Sequence, residues 1–167
     1  MQRSFVRLGF DVRRAHDLDN VEMKREIDRF LRRNLSRNEI VIYFSGRYVN
    51  YNGDAFLLPS DFEADRFDLR DLTFRAFPLR DLTERLRRSQ KQGALFIDGC
   101  YQINLPGHVQ SDCRARSLGL GNVLVPINSR TPIPADNHNI ASTFATALAG
   151  RLLEPDVEIG SHLFRVL

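Results

Sequence analysis

Continuous apolar runs and helical stripes alternate along this chain. Residues 39–44, EIVIYF, are apolar and largely β-branched or aromatic, a pattern that predicts a strand buried on both faces of a parallel sheet. ALFID (94–98) and NVLVPIN (122–128) predict two more strands. FVRLGFDV (5–12) also reads as a strand, placed at an edge by Gly9 and its arginines. Between these runs the period changes. Met23, Ile27, Phe30, Leu31 and Leu35 recur at helical spacing behind Asp19-Asn20-Val21-Glu22, whose spacing is that of a capping box, so a helix is predicted over 20–35. Leu79, Leu82 and Leu86 predict a helix over 79–90, with Gly93 just beyond it. Ile140, Phe144, Ala147, Leu148 and Leu152 mark a last long helix stopped near Pro155, with a short helical piece after 156. Asn52-Gly53 predicts a turn within 51–61, and the polar stretch 101–121, with Pro106 and Gly107, reads as a loop. The string LRDLT occurs at 69–73 and again at 79–83; two copies of five residues do not make a repeat architecture.

Strands alternating with helices predict an α/β fold, a mostly parallel sheet with helices on both faces. At 167 residues, with no Pro/Gly/Ser linker, one domain over 1–167 is expected. The apolar fraction of 43% and charged fraction of 27% are ordinary globular values. Net charge is +3, but acids and bases are interleaved, so no nucleic-acid partner is expected. No apolar run reaches the ~18 residues of a membrane span. The apolar stretch at the start is too short for a signal peptide. The chain therefore reads as soluble and cytoplasmic, without a membrane partner. Cys100 and Cys113 form no CxxC or Cys/His cluster, and two free thiols are expected rather than a disulfide. No metal site and no cofactor are expected.

In a doubly wound sheet, ligands and catalytic groups collect at the C-terminal ends of strands. Two such ends stand out: Ser45-Gly46-Arg47-Tyr48 and Asp98-Gly99-Cys100-Tyr101. A cysteine two residues beyond a buried strand, behind an acid, is placed for a nucleophile. Without a partner base a lone cysteine there is a packed thiol.

IVIYFSGRYVNYNGDAFLLPSD followed by GALFIDGCYQINLPG resembles the caspase and metacaspase superfamily, in particular bacterial metacaspase-like (orthocaspase) domains. That family has a Y-[YF]-S-G-H-G strand end, a downstream LLP.D and then a D-x-C strand end. Its catalytic histidine lies about 50 residues before the cysteine. VRLGFDV resembles the family's second strand, GLG at 119–121 a loop element, and NHNIASTFATALAGRLLEPDVEIG its C-terminal helix. The resemblance implies a caspase-like three-layer sandwich and cysteine-type endopeptidase activity on a peptide or protein. It places Cys100 at the nucleophile and Asp98 at an acid of the pocket for a basic residue. Ser45 falls at another pocket position, Arg47 at the catalytic histidine, and Tyr48 at the glycine whose N–H helps bind the oxyanion.

The last two positions depart from the family. A thiol protease needs a group that accepts or shares the thiol proton and later donates one to the leaving amine; a guanidinium does neither. Losing such a group costs on the order of a millionfold in kcat. The expected function is thus a catalytically inactive pseudoprotease serving binding or regulation. The alternative is an active endopeptidase with another base, His108 being the histidine nearest either loop in sequence. Arg47 has two open fates: beside Cys100, where it favours the thiolate, or swung out to solvent. The family's first, central strand also has no counterpart in residues 1–4. Either the start is truncated, or the remaining strands close up, or a partner chain fills the gap.

Overall fold

Two strands that the chain separates by some fifty residues lie side by side at the centre of the fold. The computed structural model describes residues 1–34, 39–51, 54–63, 69–88, 92–99, 116–120, 123–128 and 142–154. The first strand, β1 (Glu39–Ser45), runs parallel to β5 (Gln92–Asp98) in unbroken register from Glu39 opposite Gln92 to Ser45 opposite Asp98. β7 (Val123–Asn128) continues the sheet parallel to β5, and β6 (Arg116–Leu120) closes it antiparallel to β7. The order is β1-β5-β7-β6. A second sheet, β2-β3-β4, joins β2 (Tyr48–Tyr51), β3 (Asp54–Leu57) and the two-residue β4 (Phe77–Pro78), all antiparallel. Tyr51 pairs with Asp54; the predicted turn at Asn52-Gly53 between them lies outside the described residues.

Side chains alternate across a strand, so β1 and β5 feed two cores. Ile40, Leu95 and Ile97 pack with Met23, Leu79, Leu82 and Leu86. These come from α2 (Asn20–Arg33) and α4 (Leu79–Arg88). Ala94 and Phe96 pack on the opposite face with Phe5 of α1 (Gln2–Arg7) and with Phe144 and Leu148 of α5 (Thr143–Arg151). A third cluster, Val49, Phe56, Leu58, Phe62, Leu72 and Ala76, fills the space between the small sheet and α3 (Leu69–Arg75). The α/β architecture, the parallel strands and the helices on both faces are as the hydrophobic pattern predicts.

The capping box is present: Asp19 accepts from the Glu22 N–H, and the Glu22 carboxylate accepts from the Asp19 N–H. Both LRDLT strings open a helix, α3 at Leu69 and α4 at Leu79. The predicted ends at 35, 90 and 155 and the piece after 156 lie outside the described residues or past the observed helix ends.

Three expectations are corrected. The segment 5–12 is not a strand, because α1 occupies Gln2–Arg7. It ends in a Schellman motif: Gly9 N–H donates to Val6 O, Phe10 N–H donates to Phe5 O, and Gly9 sits at φ +83°. The Phe5 and Phe10 rings complete the motif edge-to-face at 5.8 Å. Within the expected loop 101–121, residues 116–120 form β6. β1, finally, lies at the edge of the sheet among the described residues; its side chains from Val41 to Phe44 are half-buried and only Ile40 is fully buried.

Candidate active site at the ends of β1 and β5

The parallel ladder carries Ser45 and Asp98 to the same level, as its last pair. One further bond, from Gly46 N–H to the Asp98 carbonyl (3.1 Å), holds the departing chains together for another step. A β-carbon at Gly46 would stand 2.8 Å from the tip of the Phe44 ring, which folds over it and would have to shift. After Asp98 the chain turns through Gly99 at φ +140°, a conformation open to glycine and strained for other residues. Cys100 follows directly and lies outside the described residues, as do Cys113 and His108.

Asp98 is 1% exposed. Its Oδ2 accepts from the Tyr43 phenol (2.5 Å) and from the Ser142 hydroxyl. Ser142 is also the N-cap of α5, its Oγ accepting from Ala145 N–H at 2.9 Å. A single buried oxygen thereby ties the sheet to the helix covering it. Burial pushes the Tyr43 phenol well above its ordinary value, and the hydrogen bond to Asp98 and the Asp98 charge push it further. Hydrogen bonds with Ser45 and Ser142 oppose this only in part. Tyr43 therefore remains a proton donor to the carboxylate. Two of the predicted pocket residues, Ser45 and Asp98, meet at this hydroxyl. Sequence reasoning missed Tyr43 and Ser142. The signals were a phenol in an otherwise aliphatic and Phe-ended strand, two residues before Ser45, and a serine at N-cap spacing before an apolar helix.

Arg47 takes a different direction. Its Nη2 donates to the carbonyls of Pro59 (3.2 Å) and Phe62 (3.3 Å), and its own carbonyl accepts from Leu58 N–H at 2.9 Å. The guanidinium is half-buried against the LLPSD segment, so it is bound to backbone rather than swung out to solvent. Tyr48 pairs with Leu57 and is 1% exposed in the core beside Met23, Ile40 and Leu79. At this position a side chain fills the interior where a glycine would leave room. The two strand ends and the N-cap of α5 thus bring together Ser45, Asp98, Tyr43 and Ser142, while Arg47 and Tyr48 anchor the hairpin that follows β1.

Among the described residues no group of three or more His, Cys, Asp and Glu is arranged to hold a metal ion, and no helix is long and apolar enough to cross a membrane. The family model described as the caspase domain matches residues 1–163. No curated protein matches the sequence.

Proposed function

The chain belongs to the caspase family, caspase- and metacaspase-like cysteine peptidases, and from that premise we propose that it is a silent member, a pseudoprotease that binds a peptide or protein without hydrolysing it. The observation that carries this reading is Arg47. Hydrolysis by Cys100 would require a neighbour to take the thiol proton and return one to the leaving amine. The guanidinium at the matching position cannot release a proton, and it is engaged with two backbone carbonyls instead. Its charge can still act at a distance. A thiol near a fixed cation loses its proton more readily, so if Arg47 lies near Cys100, that thiol is expected to be alkylated below its ordinary pKa even though it does not turn over.

In this reading Asp98, Ser45 and Tyr48 keep their places at the strand ends as binding or structural groups. Asp98 supports recognition of a basic residue only where the Tyr43 and Ser142 hydroxyls yield its carboxylate.

The test is cleavage of fluorogenic peptides bearing Arg, Lys or Asp before the scissile bond. We expect no turnover above background by the wild type. Turnover that disappears in Cys100→Ala would establish an active endopeptidase with another base and end the proposal. In parallel, iodoacetamide labelling across pH is expected to give Cys100 an apparent pKa below the ordinary ~8.5 of a free thiol, with Cys113 as the internal reference.

A further inference from the structure

Among the described residues, Asp98 is the one acidic or basic side chain that is fully buried. Two hydroxyls converge on its Oδ2 from different layers of the fold, Tyr43 from β1 and Ser142 from the start of α5. Neither is free to turn away. Ser142 Oγ accepts from Ala145 N–H, so the helix holds the hydroxyl in place while its proton goes to Asp98. Tyr43 stands opposite Phe96 in the β1–β5 ladder, in the register that ends at Ser45 and Asp98. Its phenol is also hydrogen-bonded with Ser45.

A carboxylate that recognises a basic side chain is held differently. It offers both oxygens to a guanidinium in two parallel bonds, or an open face to an ammonium. Asp98 is 1% exposed, and one of its oxygens already receives two donors. A cation entering here has to displace both hydroxyls, which separates the α5 cap from the sheet and orphans two buried donors. Without that displacement the cation is buried unpaired, at a cost that distant attraction to the acid does not offset. An acidic side chain is repelled by the same carboxylate. What remains is an uncharged one.

We propose that Tyr43 and Ser142 set the selectivity of the site at the ends of β1 and β5: by closing Asp98 between them they exclude basic side chains, and the bound peptide presents an uncharged residue there. This rests on the reading of the strand ends as a peptide-binding site, and not on whether Cys100 turns over. The two hydroxyls act through Asp98, which makes them positioning residues. A purely structural part for them would alter stability and leave the choice of ligand unchanged.

The test titrates the full chain with benzamidine and benzamide, two probes of one shape that differ in charge, by ligand-observed NMR. The wild type is expected to show no preference, the two affinities agreeing within about threefold. Tyr43→Phe combined with Ser142→Gly removes both hydroxyls, and glycine is tolerated at a helix cap. That variant is expected to favour benzamidine by about tenfold or more, the scale of one hydrogen bond to a charged group. Adding Asp98→Asn should erase the gain. The proposal is overturned by a wild type that already prefers benzamidine beyond that threefold margin, by a double variant that gains no preference, or by a preference that survives Asp98→Asn. If the double variant loses the wild-type circular dichroism spectrum, the ratio is read for each single variant, and failure of both to raise it is equally fatal. Binding is read without turnover, so cleavage in the fluorogenic assay would end the pseudoprotease reading and leave this inference standing.

Discussion

The ends of β1 and β5 leave the sheet side by side, yet they have been put to opposite uses. At the β5 end the acid, the glycine turn and the cysteine stand in the family's order, and Asp98 is buried under two hydroxyl donors. At the β1 end a cation and a large aromatic stand where the family resemblance implies a histidine and a glycine, and both are part of the scaffold: Arg47 holds the carbonyls of Pro59 and Phe62, and Tyr48 fills the core. Half of the site keeps the family's residue types, and the other half carries load. Under the proposed function, a reaction that needs both halves at once would be lost by changing one, while the Tyr48 side chain packs the core.

The largest effect expected from this contrast is at Tyr48. Restoring the family's glycine by Tyr48→Gly removes a buried aromatic and adds backbone freedom, which together cost about 4 kcal/mol or more. Chemical denaturation should show the loss. A double variant restoring histidine and glycine together would then fail through folding rather than chemistry, so Arg47→His alone is the informative reversion. If Tyr48→Gly left stability within about 1 kcal/mol of wild type, Tyr48 would not be the structural residue described above.

The β5 end offers the next step down. Asp98→Ala strips an acceptor from both Tyr43 and Ser142 and is expected to cost about 3 kcal/mol, the scale of orphaned buried donors. Ser142→Ala, which removes the α5 cap as well as one of those bonds, should cost about 1 kcal/mol. The pair are neighbours in one network, so the double variant should cost less than the sum. Strict additivity, measured by a double-mutant cycle, would mean that Ser142 and Asp98 act separately.

Much of this arrangement could be read from local pattern. The Asp19/Glu22 box, the Leu79-Leu82-Leu86 stripe and the apolar run before Asp98 each specify an element through contacts within a few residues, and each is where it was expected. What escaped depended on partners or on a less familiar cue. Phe5, Gly9 and Phe10 carry the spacing of a Schellman cap, but the same residues alternate well enough to pass for a strand. RSLGL is a strand because β7 pairs with it; its own composition argues for a loop. The apolar character of β1 on both faces suggests a central strand, and sequence alone does not reveal that one side lacks a neighbour among the described residues. At the site, Arg47 could be identified as a departure, but the carbonyls it grips come from a segment more than ten residues away. The direction of its side chain is a tertiary fact.

The most diagnostic effect is the one that depends on pH. Tyr43→Phe removes a hydroxyl donor to Asp98 and should cost about 1–2 kcal/mol near neutrality. The phenol's pKa in the folded chain is raised above the 10.0 of the free side chain, mainly by burial and then by Asp98. Below pH 10 both folded and unfolded chains hold the proton, and the stabilisation is complete. As pH rises above 10 the unfolded chain ionises first, so the unfolded state gains and stability falls by up to ~1.4 kcal/mol per pH unit. That fall continues until the folded-state phenol also gives up its proton. The other tyrosines are common to both proteins, so subtracting the Tyr43→Phe curve from the wild-type curve isolates this one group. The difference should be flat below pH 10 and shrink above it. A difference that stays constant through the alkaline range would mean that Tyr43 ionises as freely in the fold as outside it. The β5 end would then not be the closed, proton-holding cluster that distinguishes it from the β1 end.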